Sequence, residues 1–241
     1  MTALTRDAVT GLAGSGLSTE DDTAPRVGVD GLPVPLLRGR LHEAAVVPAG
    51  VGGVVATVAA DGMPATAAAA VFTFSIMAML TASAVYHCHS LHGASQRHAQ
   101  RVDHAMILVA IAGTQTAYWL MLQPAPLATA ILAPVWLTAT IGFGRKLRSD
   151  EKLSPGGDWF FAVLGLAGVG LLPFLAATDG VALILVAAGG AIYSFGGGLL
   201  RIRIGDLRPG VFGYHEVWHL LVLAGATCHF VALLRLIAAT T

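Results

Sequence analysis

Charged residues are scarce in this chain of 241 residues. They make up 12% of the sequence, against 55% for apolar residues, and the mean hydropathy is +0.72. Soluble domains carry about 25% charged residues, so this composition excludes a soluble enzyme. An excess of basic residues is also lacking, because 14 Lys and Arg balance 14 Asp and Glu. We therefore expect no nucleic-acid partner, since that function needs a basic surface.

Cysteine is nearly absent as well. The two cysteines, Cys88 and Cys228, lie far apart in the sequence and in or beside apolar segments. This pattern implies neither a disulfide framework nor a CxxC metal site.

Apolar sequence is what the chain has in abundance, and it is spread over seven stretches. Each stretch is close to the length of about 20 residues with which an α-helix crosses a bilayer. The connections between several of them are short and rich in turn-forming residues. The sequence predicts an all-α membrane protein, a seven-transmembrane helical bundle whose neighbouring helices are antiparallel. The predicted spans cover residues 43–60, 65–86, 104–122, 127–143, 159–177, 181–200 and 211–238.

The amino-terminal segment differs from the rest of the chain. It is short of large apolar side chains, and Glu20, Asp21 and Asp22 follow one another. It lacks a positive start followed by an apolar run, so we expect no cleaved signal peptide. We predict a mobile cytoplasmic tail over residues 1–40 and a seven-helix transmembrane domain over residues 41–241.

The basic residues predict how the bundle is oriented. Lys and Arg in short loops collect on the cytoplasmic side of a membrane. Thirteen of the 14 precede span one or lie between spans two and three, four and five, or six and seven. The exception, Arg235, is near the end of span seven, where a long side chain can reach the opposite interface. The amino terminus is therefore predicted to be cytoplasmic and the carboxyl terminus outside.

Small residues recur on one face of span six. Gly190, Ser194 and Gly198 are spaced by four residues. In lipid, such residues allow close approach of helices, so this face is predicted to pack against another span.

Ionisable residues within spans are costly and therefore mark candidate functional sites. His87 ends span two, Asp103 begins span three, and His215 and His219 open span seven. The predicted topology places all four near the cytoplasmic ends of their helices, so they can meet at one depth.

The spacing of these residues is typical of a metal site. Residues four apart on a helix share a face about 6 Å apart along the axis, so His215 and His219 can bind one ion. Ser83 and His87 have the same spacing on span two. Three histidines and a water form the open tetrahedral arrangement of a catalytic zinc. We therefore predict zinc held by His87, His215 and His219.

Other interpretations of the histidines remain. The string HEVWH fits the HExxH pattern of metalloproteases, but the candidates for the further carboxylate ligand, in Asp61-Gly62 and Asp179-Gly180, lie in outer loops that precede it. Haem held between His87 and one of the pair is a further alternative. His89, His92 and His98 are expected in a solvated interfacial loop, and His229 lies about 15 Å beyond His219 along the helix, too far to share its ion.

Three stretches resemble the hemolysin III family, within the superfamily of progestin and adipoQ receptors and alkaline ceramidases. They are SAVYHCHSLH in span two, RVDHAMILVAIAGTQTA entering span three, and FGYHEVWHLLVLAGATCHF in span seven. The resemblance implies zinc on His87, His215 and His219, with Asp103 as the base that orients water. It implies that Ser83 either supports the metal ligands or contacts the oxyanion. Gln115 departs from the family, which commonly has an aromatic residue there.

The resemblance also implies two classes of function. One is a zinc-dependent hydrolase of an amide or ester bond in a membrane lipid, located as a multi-pass protein in the bacterial inner membrane. The other is a non-catalytic membrane-homeostasis, receptor-like or lytic protein in which zinc is a structural brace. A membrane lipid is the expected substrate or ligand.

Overall fold

The computed structural model describes residues 33–89, 91–148 and 159–239. Within these ranges seven helices are long and apolar enough to cross a membrane, and the only strand-like pairing is by isolated bridges. The predicted all-α fold with seven spans is confirmed. The helices are α1 (Arg40–Ala59), α2 (Gly62–Cys88), α3 (Gly93–Leu122), α4 (Ala125–Arg148), α5 (Trp159–Thr178), α6 (Gly180–Ile202) and α7 (Tyr214–Ala238).

Most predicted boundaries differ from these by only a few residues, but α3 begins 11 residues earlier than predicted. Its first turns, from Gly93 to Arg101, contain polar and charged residues, which hydropathy assigns to a loop. His98 therefore lies on a helix and not in a loop, and Asp103 lies several turns inside α3. Residues 1–32 of the predicted tail, which include Arg6 and Arg26, are outside the described residues. Lys152 is outside them as well.

Two groups of helix contacts make up most of the core. In the first, α2 packs between α1 and α3, and their apolar faces meet α7 around Phe72, Leu80 and Leu233. In the second, α3, α4, α5, α6 and α7 meet around Tyr118, Trp119 and Leu175. The helices α2, α3 and α7, which carry the predicted site residues, therefore belong to one packed unit.

The small-residue face of α6 does not pack as predicted. Gly190, Ser194 and Gly198 are exposed, and a Cβ added at either glycine meets no atom within 4 Å. Packing on α7 uses the neighbouring face of α6, where Gly189 lies under the ring of His229. The prediction was wrong because a spacing of four residues identifies a face but not the neighbour that covers it.

Gln115 has a structural role in the described fold. Its Nε2 donates a 2.7 Å hydrogen bond to the carbonyl oxygen of Leu164 in α5. The stretch Gly168–Leu171 is a 3₁₀ turn, and Pro173, which has no N–H to donate, follows it. Gln115 thus joins α3 to α5 by a hydrogen bond just before the irregular part of α5.

Arg235 is paired at the end of the bundle opposite the predicted cytoplasmic end. Its Nε donates a 2.9 Å hydrogen bond to Oδ2 of Asp179, in the turn between α5 and α6. Asp179 also caps α6, since its Oδ1 accepts from the backbone N–H groups of Val181 and Ala182. The basic residue that departs from the charge pattern therefore has a specific partner.

Candidate metal centre

The three histidines predicted to bind zinc lie together. His87 comes from the last turn of α2, and His215 and His219 come from the first two turns of α7. Each offers one ligand atom, and these atoms all lie within 4.8 Å of one another. His87 and His219 are buried, and His215 is half-buried. The helical spacing brings His215 and His219 together, whereas the packing of α2 near α7 brings in His87.

The donor set suits zinc. Three imidazole nitrogens at about 2.0–2.1 Å from one ion lie about 3.4 Å apart in tetrahedral geometry, so small ring rotations would close the observed cluster. The Nδ1 atom of His219 is buried and has no hydrogen-bond partner among the described residues. A buried nitrogen without a partner is costly, and a metal ion would satisfy it. The residues present therefore fit the ion that the sequence predicts.

Asp103 lies beside this cluster. It is buried on α3, and its Oδ2 lies 3.6 Å from Nε2 of His87. A carboxylate at this distance can hold a water next to an ion bound by the histidines, or orient the imidazole of His87. The structure brings Asp103 to the histidines, as the sequence predicted.

Ser83 is buried one turn before His87, and the partner of its hydroxyl was not predicted. Its Oγ is 2.8 Å from Nδ1 of His42, in the first turn of α1. The His42 ring also stacks on His219, with the ring centroids 3.9 Å apart and the planes at 14°. His42 was missed because the predicted span one begins at Glu43, one residue after it, whereas α1 begins at Arg40.

Residues just before α1 cover the site. The backbone N–H groups of Leu36 and Leu37 donate to the carbonyls of Gly210 and Val211, in the connection between α6 and α7. Gly39 has φ +80, and a Cβ there would lie 2.4 Å from Cβ of His87. Glycine is therefore required at residue 39 both by its left-handed backbone and by its contact with a candidate ligand.

Glu216, the acidic residue of the HExxH string, is engaged elsewhere. Its side chain is fully buried, Arg38 donates to its Oε1, and the N–H of Gly213 donates to its Oε2 over 2.7 Å. Both oxygens are thus occupied in fixing the start of α7. This arrangement does not match the protease pattern, in which the Glu acts as general base.

The remaining histidine of α7 is separate from the centre. His229 is buried, its ring stacks on Tyr193, and it lies against Gly189. Ten residues of helix separate it from His219, which corresponds to about 15 Å. The structure thus makes His229 a packing residue between α6 and α7, and its separation from the ion site agrees with the expected distance along the helix.

Comparison with known proteins identifies the family. The family model described as haemolysin-III related matches residues 32–230. The chain is 30% identical to hemolysin-3 of Bacillus cereus over 134 residues, which cover 55% of this chain and 58% of that protein. It is 26% identical to a hemolysin-3 homolog of Bacillus subtilis (strain 168) over 165 residues, 68% of this chain and 74% of the homolog.

A mammalian protein is also similar. Human monocyte to macrophage differentiation factor is 25% identical over 199 residues, which cover 80% of this chain and 79% of the human protein. The family model spans α1 to α6 and most of α7, and it includes every residue of the candidate centre. The chain belongs to the haemolysin-III related family of multi-pass membrane proteins.

Proposed function

We propose that this protein is a zinc-dependent hydrolase that cleaves an amide or ester bond of a membrane lipid in the bacterial inner membrane. The observation that carries the proposal is the cluster of His87, His215 and His219 with a buried carboxylate, Asp103, beside it. A purely structural zinc site has four protein ligands, whereas a catalytic one has three and an open position. The three histidines correspond to the catalytic arrangement.

The roles of the residues follow from their positions. When bound, zinc supplies a Lewis acid that polarises a carbonyl and lowers the pKa of a water. Asp103 would accept the proton of the attacking water; the support for this role is the 3.6 Å distance between its carboxylate and Nε2 of His87. Ser83, which lies one turn before His87 on α2, would donate its hydroxyl hydrogen to the developing oxyanion.

A lipid substrate agrees with the surroundings of the centre. The residues before α1 and the connection 204–213 lie over the end of the bundle that holds the histidines. A lipid does not need to pass these segments, because it can approach from the bilayer, between helices. Its chains then remain in an apolar environment. The proposed orientation places the reacting bond near the cytoplasmic leaflet.

Metal analysis tests the zinc site. We expect about one zinc ion per chain in the purified wild-type protein and a large loss in His87→Ala and in His215→Ala. The matched control is His229→Ala, which removes a buried histidine outside the centre and should retain zinc. Equal zinc content in all four proteins would disprove the site.

Lipid analysis tests hydrolysis separately. We compare membranes from cells that express wild-type protein, Asp103→Asn or the exposed-carboxylate control Glu43→Gln. Accumulation of a cleaved lipid with the wild type and the control, but not with Asp103→Asn, is expected. If Asp103→Asn retains zinc and the wild type changes no lipid, the alternative of a structural zinc brace in a non-catalytic protein replaces hydrolysis.

A further inference from the structure

We infer that His42 is a positioning residue of the metal centre, which fixes the Ser83 hydroxyl through a hydrogen bond and the His219 ring through stacking. The inference rests on the zinc site of the proposed function. His42 is 2% exposed, and its two contacts reach α2 and α7, the helices that supply the candidate ligands. One side chain of α1 therefore touches both halves of the centre.

The stacking geometry excludes His42 as a fourth ligand to the same ion. The lone pairs of an imidazole lie in the plane of its ring. His42 and His219 are nearly parallel at a centroid distance of 3.9 Å, so lone pairs in the two planes do not converge on one point. His42 is also not in the group whose ligand atoms lie within 4.8 Å of one another.

His219 needs such support. A histidine that binds a metal normally has its ring fixed by a hydrogen bond from its second nitrogen. Among the described residues no hydrogen bond to a ring nitrogen of His219 occurs, so whichever nitrogen binds the metal, the other does not fix the ring. The broad, nearly parallel contact with His42 is therefore what limits rotation of the His219 ring on this side.

The hydrogen bond to Ser83 defines the second role. The contact of 2.8 Å between Nδ1 of His42 and Oγ of Ser83 permits either direction of donation. When Nδ1 of His42 carries the hydrogen and donates, the hydrogen of the Ser83 hydroxyl is left for another acceptor. This is the state in which Ser83 can donate to an oxyanion at the centre, so His42 prepares Ser83 without touching the substrate.

Two conservative variants separate the two roles. His42→Phe retains a ring that can stack on His219 but cannot bond Ser83, and His42→Gln retains a hydrogen-bonding group without the stacked ring. Loss of a residue that orients a ligand typically lowers metal affinity about 10-fold to 100-fold. We expect a loss of this size in His42→Ala and His42→Gln, and a smaller one in His42→Phe.

The experiment uses the full-length protein in detergent micelles. Zinc affinity is measured by competition with a chelating dye, and the Co²⁺-substituted protein is examined by visible absorption, which reports the ligand geometry. Thermal unfolding is measured for each variant, and His229→Ala serves as the buried-histidine control. We expect altered Co²⁺ bands and weaker zinc binding in His42→Gln and His42→Ala, with the control equal to wild type.

Three outcomes count against the inference, and they are distinguishable. If wild-type protein binds no metal, the proposed function fails and the inference fails with it. If wild type binds zinc and His42→Gln matches it in affinity and Co²⁺ spectrum, only the inference fails. If both His42→Phe and His42→Gln remain folded but bind no metal, His42 is itself a ligand and the positioning role is wrong.

Discussion

Arg38 donates a hydrogen bond to the buried carboxylate of Glu216, a residue 178 positions later in the chain. The pair joins the segment before α1 to the first turn of α7, one residue from His215. The Glu216 side chain is 1% exposed and the Arg38 side chain 16%. The segment before α1, which covers the candidate metal centre, is therefore held to α7 by a charge pair that is largely shielded from solvent.

Removal of Arg38 should destabilise the protein strongly. In Arg38→Met the Glu216 carboxylate remains buried without its counterion, a change that typically costs about 3–5 kcal/mol. The measurement is the free energy of unfolding in detergent micelles. The matched control is Arg40→Met, since Arg40 and Glu43 form an exposed pair with side chains 50% and 47% exposed. That change should cost about 0–1 kcal/mol, and equal losses in the two variants would contradict the prediction.

A methyl group at residue 39 should disturb both the fold and metal binding. Gly39→Ala places an L-residue at φ +80, which costs about 1–2 kcal/mol, and its Cβ would lie 2.4 Å from Cβ of His87. Because backbone or α2 must then shift, we expect a further loss of stability and weaker zinc binding. Zinc affinity and thermal unfolding are the measurements.

Gly93→Ala is the control that introduces backbone strain at positive φ without a new side-chain contact. Gly93 has φ +56, but an added Cβ meets no atom within 4 Å. This variant should show the backbone cost of about 1–2 kcal/mol with zinc affinity unchanged. If Gly39→Ala behaves in the same way as Gly93→Ala, the contact with His87 has no functional consequence.

The sequence predicted the features that depend on local pattern. Seven apolar stretches give seven helices, and the four-residue spacing of His215 and His219 places them on one face. The topology derived from the basic residues also predicted that His87 and Asp103 lie at the same end of the bundle. These predictions hold because hydropathy and helical periodicity are properties of short segments.

Contacts between distant segments could not be predicted in this way. The pairing of Arg38 with Glu216 depends on how the chain before α1 meets the connection before α7, and no local pattern specifies that meeting. His42 was missed because the predicted span one begins one residue after it. Helix packing also determines which face of α6 is covered. The four-residue spacing of its small residues, taken alone, predicted a face that is exposed.

The correction on α6 leads to a paired prediction. In Gly189→Ala the new Cβ would lie 2.7 Å from the ring of His229, so we expect a loss of about 1–3 kcal/mol from overpacking. In Gly190→Ala the side chain meets open space, and alanine in a helix should stabilise by about 0.4–1 kcal/mol. Unfolding free energies of the two variants provide the comparison. A larger loss of unfolding free energy in Gly190→Ala than in Gly189→Ala would instead support packing through the face of Gly190.

The pair at the opposite end of the bundle predicts a pH dependence. The N–H of Ala182 and the guanidinium of Arg235 hold the pKa of the Asp179 carboxyl below its usual value. Because the pKa is lower in the folded state, this stabilisation is complete above the unfolded value of about 3.9 and is lost as the pH falls through the folded pKa. The loss should therefore occur below about pH 4.

Asp179→Asn isolates the charge from the helix cap. Asparagine still offers an oxygen to the N–H groups of Val181 and Ala182, so capping of α6 should persist. What is lost is the charged partner of Arg235 and, with it, the part of the stability that changes in acid. We expect the thermal unfolding temperature of Asp179→Asn to lie below that of wild type at pH 7 and the difference to shrink toward pH 3. A difference that stays constant across this range would contradict a stabilising role for the charge of Asp179.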